Sequence, residues 1–255
     1  MVWLPSVAEN ILVQLAAGMS DVRVATVKDA DGIAGLEPLE CKGIITTLEN
    51  HLGSGKAAPS TAIVPPIVTG TEKVTGDFLR FPELLAMGMG GNGAPALAGE
   101  QTELVVDAAH RPQFFYNSLK GASQAALLEV GYAAAAELEL SAADSVCLPI
   151  TLSHSFGFGS GVLAAFGSGA SLVLPAPTPS AEGTLQALEE GCTVLYADTH
   201  TLKALMALEI ENSQSIPASF RSGLVKVGSG DGIGLGEARV WEGRDLITVG
   251  NPPTK

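Results

Sequence analysis

Apolar positions along the chain alternate between short strand-like runs and stretches of helical spacing. Val7, Ile11, Leu12 and Leu15 fall at i, i+4, i+5 and i+8, which predicts a helix opened by Pro5-Ser6 and closed near Gly18. Residues 22–27 alternate as a strand does, and residues 43–48 form a second strand-like run. Residues 49–76 are rich in Gly, Pro, Ser and Thr and read as a connection, followed by a short helix over 78–87 and a loop over 88–95. The second half is more regular. Strands are predicted at 113–117, 145–148, 171–174, 193–196, 223–227 and 246–249, and helices at 122–140, 159–166, 184–190 and 199–208. The helix at 122–140 is studded with alanine, the strongest helix former. Strands such as Ser171–Pro175 are apolar throughout, as expected where helices cover both faces of a parallel sheet. The fold class is therefore α/β, with mostly parallel sheets and helices on both faces. Two subdomains are expected, over 1–110 and 111–255.

Composition narrows the function classes. Lys and Arg total 14 against 27 Asp and Glu, a formal charge of −13, while 46% of residues are hydrophobic and 16% charged. Such a chain is too apolar for disorder, and its field repels phosphate backbones and anionic lipid heads. No nucleic-acid partner is expected. Prolines and glycines break the longest uncharged stretch, 145–181, so no transmembrane segment is expected either. Cys41, Cys147 and Cys192 are far apart and show no metal-ligand spacing, so a reducing interior and no metal are expected. The first ten residues have neither a signal-peptide nor a transit-peptide pattern, so any address is absent or was removed before residue 1.

Residues 88–93 satisfy G-x-G-x-x-G literally, but a helix-type segment precedes them and Ala94-Pro95 follow where a helix should open. Residues 228–236 carry glycine at alternate positions after a strand, and their turn chemistry favours a strand-to-helix loop. His154 follows the strand at 145–148, where ligand contacts are favoured in parallel sheets, yet no G-x-S-x-G elbow accompanies it. His51, His110 and His200 stand alone and read as surface or loop residues.

Several segments, in order, resemble the N-terminal domain of the AMP-forming acyl-CoA synthetases, part of the adenylate-forming superfamily. Leu4-Pro5-Ser6-Val7-Ala8-Glu9-Asn10 is similar to the family's LPN–E helix, and Phe81–Gly88 to the segment before its phosphate loop. Leu148-Pro149 through His154 and Gly157 resembles LPLFH–G, and Gly169–Pro175 the G-A-T-V-V-L strand. Gly191–Tyr196 with Thr199 and Leu202 is similar to the VT–L–G-V-P-T–L element, and Val227–Gly230 stands at the SGGAP loop. On this resemblance His154, Gly157, Gly228, Ser229 and Gly230 outline a remnant acyl or nucleotide pocket.

The departures carry as much weight. Where the family has TSGTTG-x-PKG, this chain has Tyr116-Asn117-Ser118-Leu119-Lys120-Gly121, so Ser118, Lys120 and Gly121 mark a degenerate phosphate loop. Where YG-x-TE would stand, the chain has Val249-Gly250-Asn251-Pro252-Pro253. The ribose-binding aspartate, the hinge and the C-terminal domain with its adenylation lysine are not in this sequence, and its first residue falls inside the family's domain. These groups act together in nucleotidyl transfer. The expectation is a catalytically inactive relative, without cofactor or metal, serving as an accessory subunit beside other protein subunits of a large hetero-oligomeric assembly. An intracellular, mitochondrial host such as a respiratory-chain complex follows by analogy with the family's acyl-CoA branches. The alternatives are a non-catalytic acyl, acyl-CoA or nucleotide-binding module, and an AMP-forming ligase completed by another chain.

Overall fold

The strand-like runs assemble into two separate sheets. A computed structural model describes residues 1–20, 22–36, 39, 44–47, 67–69, 79–80, 111–116, 119–212, 217–233, 239–241 and 244–251. The chain divides into two compact units, Met1–Leu4 with Leu12–Gln124, and Pro5–Ile11 with Ala125–Lys255. Mixed α/β architecture with mostly parallel sheets is what the structure has.

The first unit holds strands β1 (Val2–Trp3), β2 (Val24–Thr26), β3 (Ile45–Thr47), β4 (Ile67–Thr69), β5 (Leu79–Arg80), β6 (Pro112–Tyr116) and β7 (Gly121–Ser123). Their order is β5-β4-β3-β1-β2-β6-β7, parallel except for the antiparallel β6–β7 hairpin. Trp3, Ala25, Val27, Leu36, Ile44 and Phe115 form its core. Two expectations fail here. The stretch 49–76 is not all connection, because the β-branched run Ile67-Val68-Thr69 pairs with β3. Leu79–Arg80, expected in a helix, pair as a strand with β4. The remainder of that predicted helix and the 88–95 loop lie outside the described residues.

Helix α1 (Ala8–Met19) forms where expected but buries a different face. Asn10, Ile11, Gln14 and Ala17 are buried, whereas Leu12 is 49% exposed. Its two buried polar side chains are satisfied. Asn10 Nδ2 donates to Pro5 O at 3.1 Å, and Tyr116 Oη donates to Gln14 Oε1 at 3.1 Å. Polar residues with built partners outcompete a leucine for the interior, which apolar periodicity cannot foresee. Buried Gln113 closes the end of the helix by donating to Ala17 O at 2.7 Å and Val22 O at 3.1 Å. Helix α2 (Ala30–Gly35) is opened by Asp29, whose carboxylate accepts from Gly32 N.

The second unit contains β8 (Ser145–Cys147), β9 (Ser171–Val173), β10 (Val194–Asp198), β11 (Ser222–Lys226), β12 (Ser229–Ile233), β13 (Arg239–Trp241) and β14 (Arg244–Asn251). The order is β12-β14-β11-β10-β8-β9, with β13 also on β14. Strands β9, β8, β10, β11 and β14 run parallel, while β12 and β13 return antiparallel. Residues 228–236, expected as a loop into a helix, thus contain a strand. Gly228, at φ 64°, makes the left-handed turn that sends the chain back along β14.

Helices cover both faces of this sheet. Leu185 and Leu188 of α5 (Ala181–Glu189) and Leu202 and Leu205 of α6 (Thr199–Asn212) pack on Cys147, Leu195, Ala197 and Val225. Opposite them lie α3 (Gln124–Glu137) and a segment expected as plain α-helix. That segment begins at Phe156 as a π-helix, Phe156–Leu163, and becomes α4 (Ala164–Ser168). Gly131 of α3 meets it so closely that a Cβ there would stand 3.0 Å from both Gly159 O and Leu163 Cβ. Cys147 and Cys192, distant in sequence, lie together as buried free thiols in the core. Contact with Cys192 and burial together push the Cys147 thiol up.

Asp144 fastens the amino ends of these strands. Only 7% exposed, it pairs with Arg221 through Nε–Oδ1 at 2.8 Å and Nη2–Oδ2 at 3.0 Å. Thr193 Oγ1 donates to Oδ1 at 2.9 Å, and Ser141 N donates to Oδ2 at 2.9 Å. Arg221 Nη2 also donates to Leu138 O at 2.8 Å, just past the end of α3. The Arg221 hydrogen bond, opposed by burial and helped by Ser141 and Thr193, holds the Asp144 carboxyl well below the usual carboxylate range. Because the folded-state value is depressed, the stabilisation is present above the unfolded value of about 3.9 and is lost as pH falls through the folded value. Asp144→Asn is expected to cost about 2–3 kcal/mol at neutral pH, towards the low end for such a pair since Arg221 is 38% exposed. Urea unfolding from pH 7 to pH 2 should show wild type and variant converging as the solution is acidified. A difference that stays constant across this range would show that the cost does not arise from the ionised pair.

Candidate functional site

In an open parallel sheet, ligands settle beyond the carboxyl ends of strands where the connections diverge. In the second unit that place lies between β8 and β10. The chain leaves β8 towards β9 on one side, whereas β10 leads to β11 on the other. A cavity of about 320 Å³ opens there. Ile150, Thr151, His154 and Phe156 after β8, Asp198 at the end of β10 with Thr199 and His200 after it, and Lys226 at the end of β11 with Gly228 after it line the cavity.

Each polar wall residue is set by local geometry. Ser153 N donates to Thr151 Oγ1 at 3.3 Å, and the Thr151 and Ser153 hydroxyls meet at 2.7 Å, turning the chain towards His154. Phe156 N donates to His154 Nδ1 at 3.0 Å, so in the neutral ring Nε2 carries the proton. Asp198 caps α6, its Oδ1 accepting from Thr201 N at 2.7 Å. Thr199 Oγ1 donates to Lys226 O at 3.3 Å and joins the ends of β10 and β11. The Lys226 ammonium stands 5.5 Å from the centroid of the Phe156 ring.

Behind Phe156, whose ring centroid lies 5.9 Å from that of Tyr196, the Tyr196 and Ser160 hydroxyls are buried with no hydrogen-bond partner among the described residues. Burial pushes the Tyr196 phenol up. Each hydroxyl is a donor that a buried water or polar group could use. An ammonium, an imidazole N–H and a carboxylate together suit the holding of a small polar group with both donors and acceptors. The Thr151 and Thr199 hydroxyls are directed at Ser153 and at the Lys226 carbonyl. Among the described residues no cluster of three or more His, Cys, Asp or Glu could hold a metal ion.

Of the residues singled out from sequence, His154 and Gly228 line the cavity. Gly157 is buried in the first turn of the π-helix, where a Cβ would collide with Thr151 O. Ser229 and Gly230 belong to β12. In the first unit, Lys120 is exposed in the β6–β7 turn and Gly121 begins β7, where a Cβ would meet the Phe115 ring at 2.7 Å. Ser118, His51, His110 and residues 88–93 lie outside the described residues. His200, expected as a lone surface or loop histidine, is exposed yet shares the cavity wall with His154. Thr199 belongs to a segment matched to a family element without a site role, and Asp198 and Lys226 carry no motif in the sequence. The signal that finds all four is position, since each ends or directly follows a parallel strand.

No protein-family model matches the chain, and no curated protein matches it. Solved structures do. An anthranilate CoA ligase in complex with anthranoyl-AMP is 14% identical, with a TM-score of 0.64 over 90% of this chain and 45% of that one. The N-terminal domain of FACL13 from Mycobacterium tuberculosis is 14% identical, with a TM-score of 0.64 over 89% and 56%. The o-succinylbenzoate CoA synthetase of Bacillus subtilis, in complex with its acyl-adenylate intermediate, is 17% identical, with a TM-score of 0.57 over 90% and 44%. The chain therefore has the fold of the N-terminal part of the AMP-forming acyl-CoA synthetases and spans about half the length of such enzymes. Among the described residues no helix is long and apolar enough to cross a membrane.

The turn that carries His154 depends on close backbone approach. Gly157→Ala is expected to lower stability by about 1–3 kcal/mol. Gly35→Ala, where a Cβ meets nothing within 4 Å, should be neutral or slightly stabilising. Urea midpoints of the two variants measure the contrast, and equal midpoints would mean that the turn yields freely.

Proposed function

We propose that this chain is a catalytically inactive, acyl-CoA-synthetase-like protein that serves as a structural or accessory subunit of a large multiprotein assembly. A mitochondrial host such as a respiratory-chain complex extends the proposal by analogy. The observation that carries it is the β6–β7 hairpin. At the place of the family's glycine- and threonine-rich phosphate loop, only residues 117–120 separate β6 from its antiparallel partner β7, and Gly121 packs against Phe115 and Pro112. Phosphoryl and nucleotidyl chemistry relies on preorganised donors around the phosphates, and this sequence supplies few of them there. The low charge content, 16% of residues, suits a surface that other subunits cover.

The cavity beside His154 and Lys226 favours a second reading, a module that binds an acyl or nucleotide ligand without reacting it. The two readings differ in what accompanies the native protein and in what stabilises it.

Isolation from the native source under mild conditions, followed by size analysis, is the test. Co-migration with a megadalton assembly is expected, with no ATP-dependent pyrophosphate release and no such activity for Lys120→Ala to abolish. A free chain whose melting temperature rises with ATP or acyl-CoA would favour the binding module. ATP turnover lost in Lys120→Ala would overturn inactivity.

A further inference from the structure

We propose that the exposed face built by α3 and α4 is the docking surface for an amphipathic helix of a partner protein, apolar along one side and edged with Lys or Arg. The inference rests on the accessory-subunit reading and names where and by what chemistry a partner attaches.

Helix α3, Gln124-Ala-Ala-Leu-Leu-Glu-Val-Gly-Tyr-Ala-Ala-Ala-Ala-Glu137, is apolar on almost every side. A helix of that kind is normally covered on almost every side. Within the unit only one side is covered, through Leu127, Gly131 and Ala134. At about 100° per residue, Ala126, Glu129, Tyr132, Ala133 and Ala136 share the other side, and all are exposed. Tyr132 is 62% exposed, and Phe166 of the neighbouring α4 is 50% exposed. A Cβ on Gly167 would lie 3.4 Å from the Tyr132 ring, so Tyr132 and the Phe166-Gly167 turn adjoin. The result is a floor of Ala126, Ala133 and Ala136 around Glu129, low enough for a second helix to approach closely, beside two aromatic anchors of the kind that dominate interface energetics.

Charge selects the occupant. Neither α3 nor α4 contains Lys or Arg, and the charges of α3 are Glu129 and Glu137. Arg221, the cation near the end of α3, is engaged by Asp144 and by the Leu138 and Glu139 carbonyls. A second copy would set glutamates against glutamates. A membrane surface asks for basic residues around the apolar face, and here the face carries Glu129 within it and Glu137 at its edge. A helix edged with Lys or Arg complements it.

The test uses the full chain and a fluorescent 18-residue amphipathic peptide of Leu and Lys, with a Leu and Glu peptide as control. The Leu/Lys peptide is expected to bind and to lose at least tenfold in affinity in Tyr132→Ser/Phe166→Ser and in Glu129→Lys/Glu137→Lys. The charge-reversed variant should gain affinity for the Leu/Glu peptide. Circular dichroism confirms that both variants fold. Unchanged affinity in both would place the peptide elsewhere on an acidic molecule and overturn the proposal. Self-association, or binding to phosphatidylcholine/phosphatidylglycerol vesicles, that disappears with Tyr132→Ser would overturn it in favour of a second copy or a lipid surface.

A photo-crosslinker at position 132 in the native source reads the partner, with one at exposed Met206 of α6 as control. A cross-link from 132 to a segment with a basic amphipathic pattern is expected. Co-migration with an assembly but no cross-link from 132 would sink the surface and leave the accessory role standing. A chain that migrates alone would sink the accessory role itself.

Discussion

The second unit hangs on one buried carboxylate. Asp144 sits where the end of α3 meets the starts of β8, β10 and β11, and it accepts from Arg221, Thr193 and Ser141. The parallel strands β8, β9, β10 and β11 gain no register from a tight turn, since each is joined to the next through a helix. A charged knot at their amino ends supplies that register. It is also unforgiving on one side, because removing the Arg221 charge strands the Asp144 carboxylate in a poorly solvated place. The strands that hold the cavity at their far ends are spaced by this contact.

Much of this architecture was legible. The apolar runs at 145–148, 171–174 and 193–196 mark consecutive parallel strands because both their faces are covered. The alanine-rich stretch marks α3 because propensity and length agree. What escaped was what non-local partners decide. Leu12 follows the helical stripe yet faces out, because Asn10 and Gln14 have partners waiting inside. Residues 229–233 look like a glycine loop because their strand character comes from pairing with β14. The π-helical start of the segment after His154 depends on glycines meeting Thr151 and Leu148, contacts invisible along the chain.

The candidate site shows the same division. His154 and Gly228 could be singled out because they lie in segments with a recognisable order. Asp198, His200 and Lys226 could not, since each is an unremarkable residue until the sheet places it beside the others. Three separate strand ends converge on a volume of about 320 Å³. Only topology brings them there. In a chain of net charge −13, one ammonium and one carboxylate face a single small cavity beside two imidazoles.

The clamp and the cavity occupy opposite ends of the same strands, and that separation has a consequence for how the chain can change. Asp144, Thr193 and Arg221 precede or begin the strands, while His154, Asp198 and Lys226 end or follow them. A substitution among the latter leaves the former untouched. The side chains at the cavity rim can therefore vary while the sheet that carries them keeps its fastening and its shape.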